Sequence, residues 1–97
     1  MDIEFVAKAL KELGHPTRLM IYKEVVKAGR QGIAVGGIQE MLGIPASTLS
    51  HHISALASAK LLVQRREGRS LFCVGRFENL DLVVDFLRHE CCVNESC

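Results

Sequence analysis

No apolar run in the 97-residue chain approaches the roughly 18 residues needed to cross a bilayer, which excludes a transmembrane helix. The opening, Met1-Asp2-Ile3-Glu4, is acidic and lacks the basic-then-apolar character of a secretory leader. This points to the cytoplasm, where thiols stay reduced. Internal repeats and low-complexity segments are absent, leaving one ordinary globular domain over residues 1–97. A large net charge is missing too: the formal value of +1 argues neither for nor against nucleic acid. A chain this short buries only about 60–65% of its unfolded surface and gains much by pairing with a second copy.

What charge there is lies unevenly. Between Met41 and Arg76 the chain carries Lys60, Arg65, Arg66, Arg69 and Arg76 against Glu67 alone. From Phe77 onward it carries Glu78, Asp81, Asp85, Glu90 and Glu95 against Arg88. A basic middle and an acidic end suggest one face for phosphates and another for a different task.

Asp2 is placed to cap a first helix ending near Leu13, with Ile3, Val6, Ala7 and Leu10 on one apolar stripe and Phe5, Ala9 and Leu13 on another. Gly14-His15-Pro16 separates it from a second helix, Pro16 to Ala28, expected to turn Leu19, Met20, Val25 and Val26 inward. After Gly29-Arg30-Gln31-Gly32, a short helix is expected from about Val35 to Leu42, closed by Gly43, and a further one from about Ala46 to Lys60. On the latter, Leu49, Ile53, Leu56 and Ala57 recur at helical spacing while Ser47, Ser50, His51 and Ser54 lie off that stripe. Two short helices around a glycine turn, the second with a polar outer face, read as a helix-turn-helix.

The period then changes. Leu61-Leu62-Val63 and Leu71-Phe72-Cys73-Val74 predict two strands around a turn, Arg65 to Ser70, rich in arginine: a hairpin with a basic tip. A final helix is expected from about Glu78 to Cys92, with Leu80, Val83, Val84, Leu87 and Cys91 on one side and Leu82 and Phe86 on another. Helices with two apolar sides need cover on both, so the first and last helices are the expected homodimer surface. The expected fold is mainly α (α+β), a winged helix-turn-helix of about five helices and a two-stranded β-hairpin wing.

Three stretches carry a resemblance to a known family. They are Ala9-Leu10…Leu13-Gly14-His15-Pro16-Thr17-Arg18-Leu19…Ile21, then Ser47-Thr48-Leu49-Ser50-His51-His52-Ile53…Leu56, and the wing Leu61-Leu62-Val63…Arg66-Glu67-Gly68-Arg69-Ser70. In this order and spacing the chain resembles the ArsR/SmtB metalloregulators over nearly its whole length. The resemblance implies a dimeric repressor that binds palindromic operator DNA without a cofactor and leaves it on capturing a metal or metalloid.

The residues suit that task. A helix in the major groove reads base edges through small or bidentate polar side chains near its N-terminus, and Ser47, Thr48, Ser50 and His51 are of that kind. Arg65, Arg66 and Arg69 can reach the phosphate backbone or minor groove. Ser47, Ser50 and His51 match positions at which relatives contact DNA, whereas Ala46 stands where many relatives have glutamine. Thr48 is equally suited to capping the helix, and His52 either packs inside or meets a base. Cys73, between Phe72 and Val74, reads as a small buried residue.

Cys91, Cys92 and Cys97 put three thiols within seven residues. In a reducing compartment such a cluster indicates soft-metal ligation or redox chemistry rather than a structural disulfide. Adjacent helical positions project about 100° apart, so Cys91 and Cys92 share a ligand only where the helix end loosens. The ending Phe86-Leu87-Arg88-His89-Glu90-Cys91-Cys92…Cys97 resembles a subgroup of arsenic repressors with a vicinal pair and a third cysteine close after it. That resemblance implies arsenite or antimonite as inducer on Cys91, Cys92 and Cys97. The family's cysteine triplet before the reading unit is absent from Ile33-Ala34-Val35-Gly36-Gly37-Ile38-Gln39. Zinc, cadmium or lead sensing with His89 as a fourth ligand, and thiol redox sensing, are the alternatives. A thiol enzyme is not expected, since no acid, base or anion-cradling loop accompanies the pair.

Overall fold

The computed structural model describes residues 2–95, so the expectation placed on Cys97 lies outside the described residues. The Asp2 carboxylate accepts from the Glu4 amide at 2.9 Å and starts α1, Ile3–Leu13. α2, Pro16–Ala28, begins on an unusual cap: His15 Nδ1 accepts from the Thr17 amide at 3.1 Å. A 3-10 turn, Gly29–Gln31, leads into a two-residue strand β1, Ile33–Ala34, and then α3, Val35–Leu42. Gly43 closes α3 with φ 64°, a left-handed conformation that glycine enters without steric cost. α4 follows as Ala46–Ser58, then β2, Leu62–Glu67, β3, Ser70–Gly75, and α5, Phe77–Arg88.

Three boundaries differ from expectation. The sheet has three antiparallel strands in the order β1-β3-β2, not two, because Ile33 and Ala34 pair with Cys73 and Phe72. Gly32 permits this approach: at φ 78°, any Cβ there would come within 2.8 Å of the Cys73 carbonyl oxygen and of Val74 Cγ2. The hairpin pairs Leu62 with Gly75 through to Glu67 with Ser70, so Arg65 and Arg66 sit on a strand and only Gly68 and Arg69 form the tip. α5 stops at Arg88 rather than Cys92, because His89 turns to an extended ψ of 132°.

One core joins the helices to the sheet. Val6 and Ala9 of α1, Ile21, Tyr22 and Val25 of α2, Ile38 of α3, Leu49, Ile53 and Leu56 of α4, Leu61, Leu62, Cys73 and Val83 are all buried. The inward assignment of Leu19 and Met20 is corrected. Both are exposed, and the neighbouring Ile21 and Tyr22 take the interior instead. The Tyr22 hydroxyl donates to the Leu61 carbonyl at 2.9 Å, and burial pushes its pKa up to about 12. Cys73 is buried as expected, its thiol pushed up to about 11 by the same cause. The radius of gyration, 15.2 Å, exceeds the roughly 13 Å of a compact 100-residue domain, in keeping with a wing exposed from Val63 to Ser70.

Tyr22→Phe removes one of two donors on the Leu61 carbonyl, which keeps the Arg76 amide at 2.9 Å, so it is expected to cost about 0.5–1.5 kcal/mol of unfolding free energy in a urea titration. A loss under about 0.3 kcal/mol would show that water replaces the hydroxyl.

Candidate nucleic-acid interface

α4 divides cleanly. Leu49, His52, Ile53 and Leu56 face the core, which leaves Ser47, Thr48, Ser50, His51 and Ser54 exposed on the other side. Pro45 precedes the helix and no side chain caps its first turn, so Thr48 is not a cap. Five polar side chains therefore face outward together, beside a helix start whose first-turn amides no side chain caps, the arrangement that suits base edges and phosphates.

The three wing arginines are not equivalent. Arg65 Nη2 donates to the Gln31 carbonyl at 2.9 Å and to Glu67 Oε2 at 3.0 Å, and its guanidinium lies 5.8 Å from the Phe72 ring centre. It braces the wing against the turn before β1. Arg66 and Arg69 are exposed, with Arg69 at the tip.

His52 is a structural residue. It is buried, 7% exposed, and its Nδ1 accepts from Arg18 Nε at 3.1 Å. Arg18 Nη1 in turn donates to Glu12 Oε1 at 2.7 Å and reaches the Glu12 carbonyl at 3.4 Å. Burial first, and then the Arg18 charge with His15 and His51, lowers the pKa of His52. Glu12 is also lowered, chiefly by its hydrogen bond from Lys8, with Arg18 adding to the effect.

Beyond α5 the chain makes tight turns, Cys91 N to Arg88 O at 2.9 Å, Val93 N to Glu90 O at 3.1 Å and Glu95 N to Cys92 O at 3.0 Å. Glu90 and Cys92 take φ values of 62° and 64°, which non-glycine residues adopt only at a cost. This departure from the helix brings the Sγ atoms of Cys91 and Cys92 to 3.4 Å, both exposed. Two metal–sulfur bonds of about 2.3 Å span up to about 4.6 Å, so a single soft ion can bridge this pair. Hydrogen bonds with Cys91 and Glu95 raise the Cys92 thiol pKa. Among the described residues no three His, Cys, Asp or Glu side chains converge as a metal site, and His89 lies against Glu90 at 3.6 Å.

A helix-turn-helix domain model matches residues 13–65, more than half of the chain. The nodulation protein NolR of Rhizobium meliloti is 32% identical over 71 residues, 73% of this chain and 56% of NolR. The transcriptional repressor PagR of Bacillus anthracis is 33% identical over 72 residues, 74% of this chain and 70% of PagR. This chain thus spans little more than half the length of NolR. In three dimensions it resembles the homodimeric winged helix-turn-helix DNA-binding domain from Mycobacterium bovis, with TM-score 0.70, 26% identity and coverage of 98% of this chain and 88% of that one. The crystal structure of an ArsR family transcriptional regulator is alike in fold, with TM-score 0.82, 18% identity and coverage of 100% and 97%. The chain belongs to the ArsR family of winged-helix regulators.

In this ArsR-family chain the residues singled out from sequence fall into two separate places: Ser47, Thr48, Ser50, His51, Arg66 and Arg69 on α4 and the wing, and Cys91 and Cys92 beyond α5. The tie from Glu12 through Arg18 to His52 escaped sequence reasoning. Arg18 is six positions from Glu12 and thirty-four from His52, and its only sequence signal was a place in the resemblance motif.

Removing one arginine that pairs with a DNA phosphate should reduce the slope of log affinity against log salt by about 0.9. Arg66→Ala and Arg69→Ala are each expected to do so in a fluorescence anisotropy titration with duplex DNA. Arg65→Ala, already engaged within the protein, should move the slope least. Equal slopes for parent, Arg66→Ala and Arg69→Ala would remove the wing from the interface.

Proposed function

We propose that this chain is a homodimeric repressor that binds operator DNA and is released when arsenite or antimonite is captured by the thiolates of Cys91, Cys92 and Cys97. The observation that carries the reading is the 3.4 Å separation of two exposed thiols just past the end of α5. Thiolates are soft ligands, and a trivalent metalloid takes three of them in a pyramid. The vicinal pair offers two; Cys97 is the third by the resemblance.

Dimerisation is supported by apolar surface left uncovered on two helices. Ile3 and Leu10 of α1 and Leu82, Val84 and Leu87 of α5 are between 40% and 64% exposed. The homodimeric Mycobacterium bovis domain gives the precedent. Two α4 helices related by a two-fold axis would enter successive major grooves about 34 Å apart, matching half-sites about 10 bp apart. PagR, a named repressor, supports the direction of regulation.

Release requires the inducer to favour the DNA-free conformation by about 1–3 kcal/mol. α1 packs against α5, α2 and α4, so a pull on residues 89–94 has a packed route to the reading unit. Each thiol proton leaves with an arsenite hydroxyl as water, As(OH)3 + 3 RSH → As(SR)3 + 3 H2O, so arsenite affinity should change little with pH below the thiol range. Zinc or cadmium, which displace the protons into solution, should instead bind more tightly as pH rises.

The test is a palindromic duplex selected in vitro by the parent protein, its complex titrated under reducing conditions with arsenite, zinc and cadmium in parallel. Arsenite should release the parent. Cys91→Ser and Cys92→Ser should stay bound at arsenite concentrations that release the parent, while Cys73→Ser should behave as the parent. Leu87→Asp places a charge on the proposed interface and should lose dimer by sedimentation and duplex binding together. Release by zinc but not arsenite would overturn the metalloid assignment.

A further inference from the structure

We infer that Arg18 and His52 are positioning residues for the reading helix, and that they work only while the His52 ring is neutral, so that acid releases DNA independently of the thiols. The inference rests on the reading that α4 meets DNA.

The geometry dictates the protonation state. His52 Nδ1 accepts the Arg18 Nε–H at 3.1 Å, so this nitrogen carries no proton and the ring is the neutral Nε2–H form. A protonated ring would turn N–H against N–H and set a second positive charge beside a guanidinium that is itself only 11% exposed. The guanidinium cannot yield, because Glu12 holds it at 2.7 Å from α1. The ring must therefore move, and His52 lies directly between His51 and Ile53 on α4, with Ser50 and His51 on the opposite, exposed face.

The charges around the ring act in one direction. Arg18 faces it from α2, His15 from the α1–α2 junction at 4.9 Å between ring centres, and His51 from the preceding position of α4 at 6.0 Å. All three oppose its protonation, as does burial, while Glu12 is taken up by Arg18 and Lys8. β2, which also packs on α4, supplies no group acting on it. The sign follows. A base whose pKa is lowered in the ordered state contributes fully above about pH 6.5, and the contribution fades as pH falls from there through the lowered value. The DNA-competent seat of α4 is therefore complete at neutral pH and lost on acidification.

His52→Asn is the informative variant, since its side-chain oxygen accepts from Arg18 Nε at any pH while His15 and His51 remain. Affinity for the selected duplex is measured from pH 7.5 to 5.5, with far-UV circular dichroism confirming that both proteins stay folded. The parent should lose about three- to tenfold more affinity than His52→Asn over this range. Coincident pH curves would overturn the inference while leaving the function standing, and a parent that selects no duplex at pH 7.5 would overturn both. A second measurement needs no variant: by linkage, duplex binding should lower the titration midpoint of the His52 ring in the parent's NMR spectrum. A midpoint that stays or rises would contradict the inference.

Discussion

Leu49, His52, Ile53 and Leu56 hold one side of α4 against the interior, and a helix that buries a single stripe must present the rest. Ser47, Thr48, Ser50 and His51 face outward because of that seat. Three of the anchors are aliphatic and non-directional. The fourth is a hydrogen-bonded imidazole, and it adds direction: Arg18 reaches from α2 and is itself fixed by Glu12 on α1. Dispersion and burial keep α4 in place, while the polar tie specifies where along its neighbours it rests.

The same economy separates the outer face of α4 from the thiol pair. The wing presents Arg66 and Arg69 and α4 presents Ser47, Thr48, Ser50 and Ser54, while the thiol pair sits past the end of the last helix. α5 has only Val83 buried, with Leu80 and Phe86 half-buried against the core. A helix so lightly held by its own subunit can respond to events at its end and to a second copy beside it. The left-handed residues Glu90 and Cys92 flank Cys91 and hold the pair off the helix, which a continuous α-helix would forbid.

Much of this was legible in the sequence. Asp2 as a cap, Pro16 at a helix start, Gly43 at a helix end and the two-faced α4 all have local chemical causes, and each lies where expected. β1 was not legible: two residues carry no periodicity, and Ile33 and Ala34 become a strand only through distant Cys73 and Phe72. The end of α5 was hidden because Cys91 stands four positions after Leu87 and extends the apolar stripe, and no glycine or proline marks the stop at His89. Leu19 and Met20 continue a plausible inward pattern on α2, yet Ile21 and Tyr22 fill the core. The Glu12–Arg18–His52 tie crosses a helix break to Glu12 and thirty-four positions to His52, so no helical spacing could disclose it.

The proposed function sets α4 and the wing against DNA, with the α5 end left free for the inducer. Backbone amide chemical shifts followed while the selected duplex is added test this most directly. The largest changes are expected on residues 46–54 and 64–70, with Cys91 and Cys92 little moved. The largest changes falling on α1 or beyond α5, with residues 46–54 unmoved, would contradict it.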